Sequence, residues 1–317
     1  MKGLSIYHYC TLVILFVVFA VGWLGGQRAA IILVYGSVWA LCTIGYDLFS
    51  GFSGRINLGY AMFPGVAGYA SAALSAKFGV SPLLSFPIGV LSAVLLAACV
   101  GALTLRIKGI YFALSTAIVP LALFEVTRIV GRFFGGEEGI WGVPSFFQDP
   151  RYDLLAIGGI LGVCITFALW YVGSKEGLIL RAIRGGEVTA QALGVHTFGH
   201  LFVAFLLSAA IGGAAGAYLA HFQMLISPEV LHIITTLQVV TFTYVGGAGT
   251  IVGPVVASYL LVILNEALRA WVDLRLFAYF VGLVLILRFS PEGLLVPLGR
   301  SLGRLVISFR TASVRSK

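Results

Sequence analysis

The sequence predicts an all-α, polytopic membrane protein of about ten spans, and three observations point there. Apolar residues make up 60% of the 317 and charged residues only 10%, with a mean hydropathy of +1.04. A soluble chain of this size lacks the interior to hide so much apolar surface, so the bilayer must be its solvent. The apolar residues also fall in runs near the ~20 residues that one spanning helix needs. Finally, Lys and Arg collect in the connections and favour one side, as topology-setting charge does.

The runs lie at about 9–25, 29–49, 57–76, 83–105, 110–130, 154–173, 198–220, 230–247, 251–268 and 275–290. The first follows Lys2 and resembles a signal peptide, but no small-x-small site follows it, so an uncleaved span is expected. Two runs are irregular. The stretch 57–76 is rich in Gly and Ala and contains Pro64, and Gly246 to Pro254 interrupts the chain between two apolar runs. Non-helical backbone survives at membrane depth only where protein or a water-filled cavity satisfies its polar groups.

Alternating these spans, with the polar stretch near residue 185 placed inside, puts 13 of the 20 Lys and Arg residues on the cytoplasmic side. Both termini are then cytoplasmic. No segment is long and polar enough for a separate soluble unit, so residues 1–317 are read as one transmembrane domain. It has an outer loop at about 131–153, a cytoplasmic loop at about 174–198 and a basic cytoplasmic tail at 291–317. The outer loop is mildly acidic, with Glu137, Glu138, Asp149 and Asp153. The net charge of +8 is spread over loops and tail, so it signals topology and not a nucleic-acid partner.

No catalytic constellation stands out, and the chain is not expected to be an enzyme. Cys10, Cys42, Cys99 and Cys164 each sit alone in apolar sequence, which argues against a disulfide framework or metal site. His196 and His200 are four apart, a spacing more consistent with an interfacial helix face than with a metal pair. No GxxxxGK[ST] occurs, so no phosphate-cradling loop is present. No cofactor is expected, and if ATP supplies energy, another chain binds it.

Candidates for a translocation path are few. Glu125 lies within the fifth run, where an ionisable residue is a functional candidate. Arg128, three residues on, shares its helix face, and a structural pair at the outer interface is the competing reading. Ser115 and Thr116 offer hydroxyls, as path lining or as packing groups. Gly246 and Gly247 begin the backbone interruption. Asp47 and Glu266 are read as interfacial. The run Ala209 to Ala217, with Gly212 and Gly216 in GxxxG spacing, is read as close helix packing.

The most distinctive segment is the hydrophilic island Leu180 to Val195. Glu187 to Leu193 has room for two helical turns, and Gly194 suits the left-handed position that ends a helix. Ala190 and Ala192 are small enough to let such a helix sit in a partner's groove. Arg181 and Arg184 precede it, ready to pair with acidic partner groups. An ordinary solvated basic loop is the alternative at this point.

Glu187, Ala190 and Gly194 resemble the E-x-x-A-x-x-x-G coupling loop of ATP-binding-cassette (ABC) importer permeases. Other stretches are similar to LivM-type permease subunits of branched-chain amino-acid importers: Gly51 to Gly59, Leu105 to Thr116, Gly135 to Ile140, Val245 to Thr250 and Phe289 to Leu294. With the island they make six matches, in family order over nearly the whole chain. The resemblance implies a multi-pass subunit in a bacterial cytoplasmic (inner) membrane, working with a sister permease. Two cytoplasmic P-loop ATPase subunits would drive it, and an external solute-binding protein would supply branched-chain amino acids. Urea or another small polar solute is the alternative within the family. A self-sufficient carrier or channel is the alternative outside it, and the scarcity of buried carboxylates counts against that. The chain departs from the family in carrying Gly185-Gly186 before Glu187. Glycine weakens helix initiation by roughly 1 kcal/mol relative to Ala, so the docking helix is expected to start late or to order on its partner.

Overall fold

The computed structural model describes residues 22–267, with Ala20 and Val281 beyond them. Most of the predicted first span, the span at 275–290, the Phe289 to Leu294 stretch and the tail 291–317 lie outside the described residues.

Helix α1 (Gly26–Tyr46) continues into a π-helical turn at Asp47–Gly51. Helices α2 (Met62–Phe78), α3 (Pro82–Thr104), α4 (Ile110–Ile129) and α5 (Gly131–Phe134) follow. The chain then forms strand β1 (Ile140–Trp141), α6 (Pro150–Gly173), α7 (Lys175–Gly185), α8 (Glu187–Ala192) and α9 (Thr197–Gln223). Strand β2 (Leu225–Ile226), a 3-10 turn at Pro228–Leu231, α10 (Ile233–Gly246) and α11 (Val252–Ala267) complete it. The only departure from all-α among the described residues is the antiparallel pair β1–β2, with Ile140 opposite Ile226.

Among the described residues five helices are long and apolar enough to cross a membrane: α1 with its π turn, α3, α4, α6 and α9. Two predicted spans become helical later than the sequence suggested. The run at 57–76 becomes helical only at Met62, because Asn57 Oδ1 accepts the Gly59 N–H at 2.9 Å and holds a turn ahead of it. The run at 230–247 begins at Ile233, after the turn that starts at Pro228, and the run at 251–268 is α11. At 1.5 Å per residue α10 is about 21 Å long, short of the ~30 Å hydrocarbon core.

Helix α9 is the hub, packed on α1, α2 and α3. Its small residues permit this, since a Cβ added at Gly216 would lie 1.9 Å from the Pro64 carbonyl oxygen of α2. Burying a glycine-rich face is how membrane helices gain contact where lipid is as apolar as the side chains. Aromatic rings fill the wider space, with Phe205 of α9 5.1 Å from Phe49 and 5.2 Å from Phe63, both edge-on. A polar knot ties the other end of α9. His221 Nδ1 lies 2.7 Å from the Pro144 carbonyl, which only accepts, so Nδ1 carries the proton. Nε2 is therefore the acceptor, 2.8 and 3.1 Å from the Ser71 and Ser85 hydroxyls.

The loops assigned to one membrane side do gather at one end. Residues 51–57, 105–108, 174–196 and 247–251 contact one another there. This end holds the site described next.

Candidate functional site

The island folds as two helices set against the bundle. Ser174 caps α7, its hydroxyl accepting the Glu176 N–H at 3.2 Å. Helix α7 is amphipathic and buries Gly177, Leu180 and Ile183, a spacing of three that makes one face. Gly186 breaks the helix, and α8 starts at Glu187 itself. The late start expected from Gly185-Gly186 does not occur, because a glycine in the N-cap position is tolerated nearly as well as a polar cap. Gly194 ends α8 as the sequence suggested, with φ +85. Its N–H bonds the Gln191 carbonyl at 2.9 Å and the Val195 N–H bonds that of Ala190 at 3.1 Å. These two bonds are the paired C-terminal closure that a left-handed glycine allows.

The faces of α8 differ from the sequence reading. Ala190 is buried within this chain and not presented to a partner. Glu187 also turns inward. Both of its carboxylate oxygens accept from Arg55 Nη2, at 2.9 and 2.8 Å, and the two side chains are only 9% and 18% exposed. Arg184 donates to the Gly51 carbonyl at 2.7 Å, and the Arg181 guanidinium lies 5.3 Å from the Phe52 ring. Two of the groups expected to reach a partner thus hold the helix pair onto α1. Helix α8 and its C-cap expose two large apolar side chains, Val188 at 72% and Leu193 at 80%, beside the polar Thr189 and Gln191. Beside it lies a cleft of about 400 Å³ lined by Arg106, Lys108, Glu187, Gln191, His196 and Phe198, among others. Among the described residues no cluster holds three metal-ligating side chains. His196 instead caps Gly199, and His200 Nδ1 pairs with Glu176 at 2.7 Å.

Asp47, at the end of its span, does not face outward. It is fully buried in the π-helical turn. Its Oδ1 accepts the Gly249 N–H at 2.6 Å and its Oδ2 the Ile251 N–H at 2.9 Å. Ile251 has φ +60, a conformation strained for a β-branched residue. The carboxylate therefore fixes the interruption between α10 and α11, and the π bulge aims it there. A Cβ at Gly51 would strike Asp47 Oδ1 at 1.9 Å, which explains that glycine.

The remaining candidates do not converge. Ser115 bonds the Tyr111 and Phe112 carbonyls one turn back, and buried Thr116 bonds that of Ala113. Glu125 is exposed near the far end of α4, 3.5 Å from Arg128, which also pairs with Glu137. Gly246 packs on Gly253, where a Cβ would come within 2.4 Å of the backbone, and Gly247 caps α10 with φ +101. The residues the sequence reading missed are Arg55 as the partner of Glu187, Asp47 as a clamp, and Val188 and Leu193 as exposed apolar side chains. Arg55 carried a signal, since it lies in the quoted Gly51 to Gly59 stretch, but its partner is 132 positions away.

Residues 28–288 match the family described as branched-chain amino acid transport system, permease component. The chain is 27% identical over 287 residues to the high-affinity branched-chain amino acid transport system permease protein LivM of Escherichia coli K12. That alignment covers 81% of this chain and 68% of the relative. LivM of Salmonella typhimurium is 26% identical with the same coverage. The nucleoside ABC transporter permease protein NupC of Lactococcus lactis subsp. cremoris is 25% identical over 208 residues, covering 60% of this chain and 65% of the relative. No solved structure gives a significant match.

Proposed function

Because this chain belongs to the branched-chain amino acid transport permease family, we propose that it is the membrane subunit of an ATP-driven importer whose motor docks on α8. The observation that carries this is a short helix held firmly by Glu187, Ala190 and Arg184 that leaves two large apolar side chains, Val188 and Leu193, exposed. A solvated loop has no reason to bury its acidic residue and expose its large apolar ones. The chain is a multi-pass membrane protein and a transport subunit, not itself an enzyme. Residues 1–317 act as one transmembrane domain of a bacterial cytoplasmic membrane. Its coupling loop at about 174–198 faces two P-loop ATPases, and its loop at about 131–153 faces a solute-binding protein. A sister permease completes the path.

Branched-chain amino acids are the proposed solute, in keeping with the two LivM relatives. The Lactococcus lactis relative supports a nucleoside as the second candidate. Competition of unlabelled leucine and unlabelled nucleosides against labelled leucine uptake separates them. On this reading α4 lines the path, with Ser115, Thr116 and Glu125 along it and Gly246 and Gly247 at the cytoplasmic mouth. Glu125→Gln is expected to shift the KM of uptake two- to fivefold, on the order of 0.5–1 kcal/mol, and to leave assembly unchanged. Unaltered uptake kinetics would return Glu125 to a surface ion pair.

The proposal is tested by affinity purification and mass spectrometry of the chain with its partners from mildly solubilised membranes. P-loop ATPases are expected with the native chain. Leu193→Asp, which spares the Arg55–Glu187 pair, is expected to lose at least about tenfold of them, the effect of one buried apolar anchor of roughly 1.5–3 kcal/mol. Full ATPase recovery with Leu193→Asp would remove α8 as the docking helix.

A further inference from the structure

We propose that Arg55 is the positioning residue through which the α7–α8 pair moves helix α4. The inference rests on the importer reading and adds an internal route from the docking helix to the path.

Arg55 is a charged side chain only 9% exposed, and its planar fork reaches two separate parts of the chain. Nη2 holds both oxygens of Glu187 on α8. Nη1 donates to the Leu105 carbonyl at 2.8 Å and the Ile107 carbonyl at 3.2 Å, in the connection between α3 and α4. The guanidinium carbon lies 5.5 Å from the ring centroid of Phe112, in the first turn of α4. A rigid, delocalised guanidinium fixes the angle between these contacts, which a lysine ammonium on a flexible stem cannot do. A displacement of Glu187 therefore reaches the start of α4 and is not absorbed by a side-chain rotation.

Helix α4 is built to respond. Gly109, at its N-cap, has φ +63 and open space around it, so the connection swivels there. Along its 20 residues α4 buries only Phe112, Ala113, Thr116, Pro120 and Thr127. Phe112, beneath Arg55, is the largest of these. Of the five membrane-length helices among the described residues, α4 buries the fewest side chains, and it is gripped at the end nearest the docking helix. It also carries Ser115 and Glu125. The second link, Arg184 to Gly51, runs to α1 and leaves α4 to Arg55.

The test measures thiol labelling of Leu114→Cys, an exposed position on α4, in a background without the native cysteines. It uses the complex with its ATPases, nucleotide-free and trapped with ATP and vanadate. In the otherwise native chain the labelling rate is expected to differ between the two states. With Arg55→Lys the difference is expected to shrink by about tenfold, the effect of losing one charge-assisted hydrogen bond, while the ATPases still copurify. Arg55→Gln, which keeps a donor but no fork, gives the same reading should the Lys variant not assemble. A labelling difference that survives both substitutions would overturn the role of Arg55. If ATPases copurify yet α4 labelling ignores nucleotide in the native chain, this inference alone fails. If no ATPase copurifies, the importer reading fails with it.

Discussion

Asp47→Ala is expected to destabilise the protein by about 2–5 kcal/mol and to abolish ATP-driven uptake. The estimate comes from two N–H groups, of part-buried Gly249 and buried Ile251, each costing up to about 1–3 kcal/mol when left without an acceptor. An opposing effect exists, since removing a buried carboxylate also removes its desolvation cost. It does not win here, because the two donors are backbone and stay behind. Ile251 would also keep its strained φ of +60 without the bond that holds it. Asp47→Asn retains one acceptor oxygen, so its effect should fall between those of Ala and the native residue. Thermal unfolding of the detergent-solubilised chain gives the ranking, and an Ala variant as stable as the native protein would show that the interruption between α10 and α11 holds without Asp47.

Gly216→Val carries the other large effect. The added Cβ alone would lie 1.9 Å from the Pro64 carbonyl oxygen. That atom belongs to the α2 backbone, which cannot rotate aside as a side chain would. Overpacking a dense core costs about 1–3 kcal/mol, and the rigid obstacle puts this site at the top of that range or beyond. The expected result is a sharp loss of monodisperse protein after solubilisation. Gly158→Ala, on α6 with no atom within 4 Å of its added Cβ, is the control and should behave like the native chain. Normal yield of Gly216→Val would mean that α2 and α9 pack less closely than their small residues indicate.

The two substitutions probe features that differed in how far the sequence displayed them. Close packing at Gly212 and Gly216 was legible because small residues at that spacing in an apolar run have few other uses. The short helix α8 was legible for the same kind of reason, a polar segment between apolar runs with a glycine placed to end it. Its orientation was not. Helical spacing says which residues share a face and says nothing of which face meets the bundle. Glu187 looked like a partner contact until Arg55 supplied an internal one. Val188 and Leu193 gave no signal, because an apolar residue does not stand out in a chain that is 60% apolar. The clamp made by Asp47 was not legible, because only the π-helical turn turns its carboxylate inward onto residues some 200 positions away. The shortened α10 followed from a run whose hydropathy continues through the turn at Pro228–Leu231, where the helix does not.

Uptake into proteoliposomes tests the central claim, that separate ATPases acting through α8 drive this permease. The chain is reconstituted with its copurified partners, with solute-binding protein and labelled leucine outside and ATP within, and again without the ATPases. Uptake that needs both ATP and the ATPases, and falls with Leu193→Asp, is the predicted result. Concentrative uptake by the permease chain without any ATPase would contradict the account and make it a self-sufficient carrier.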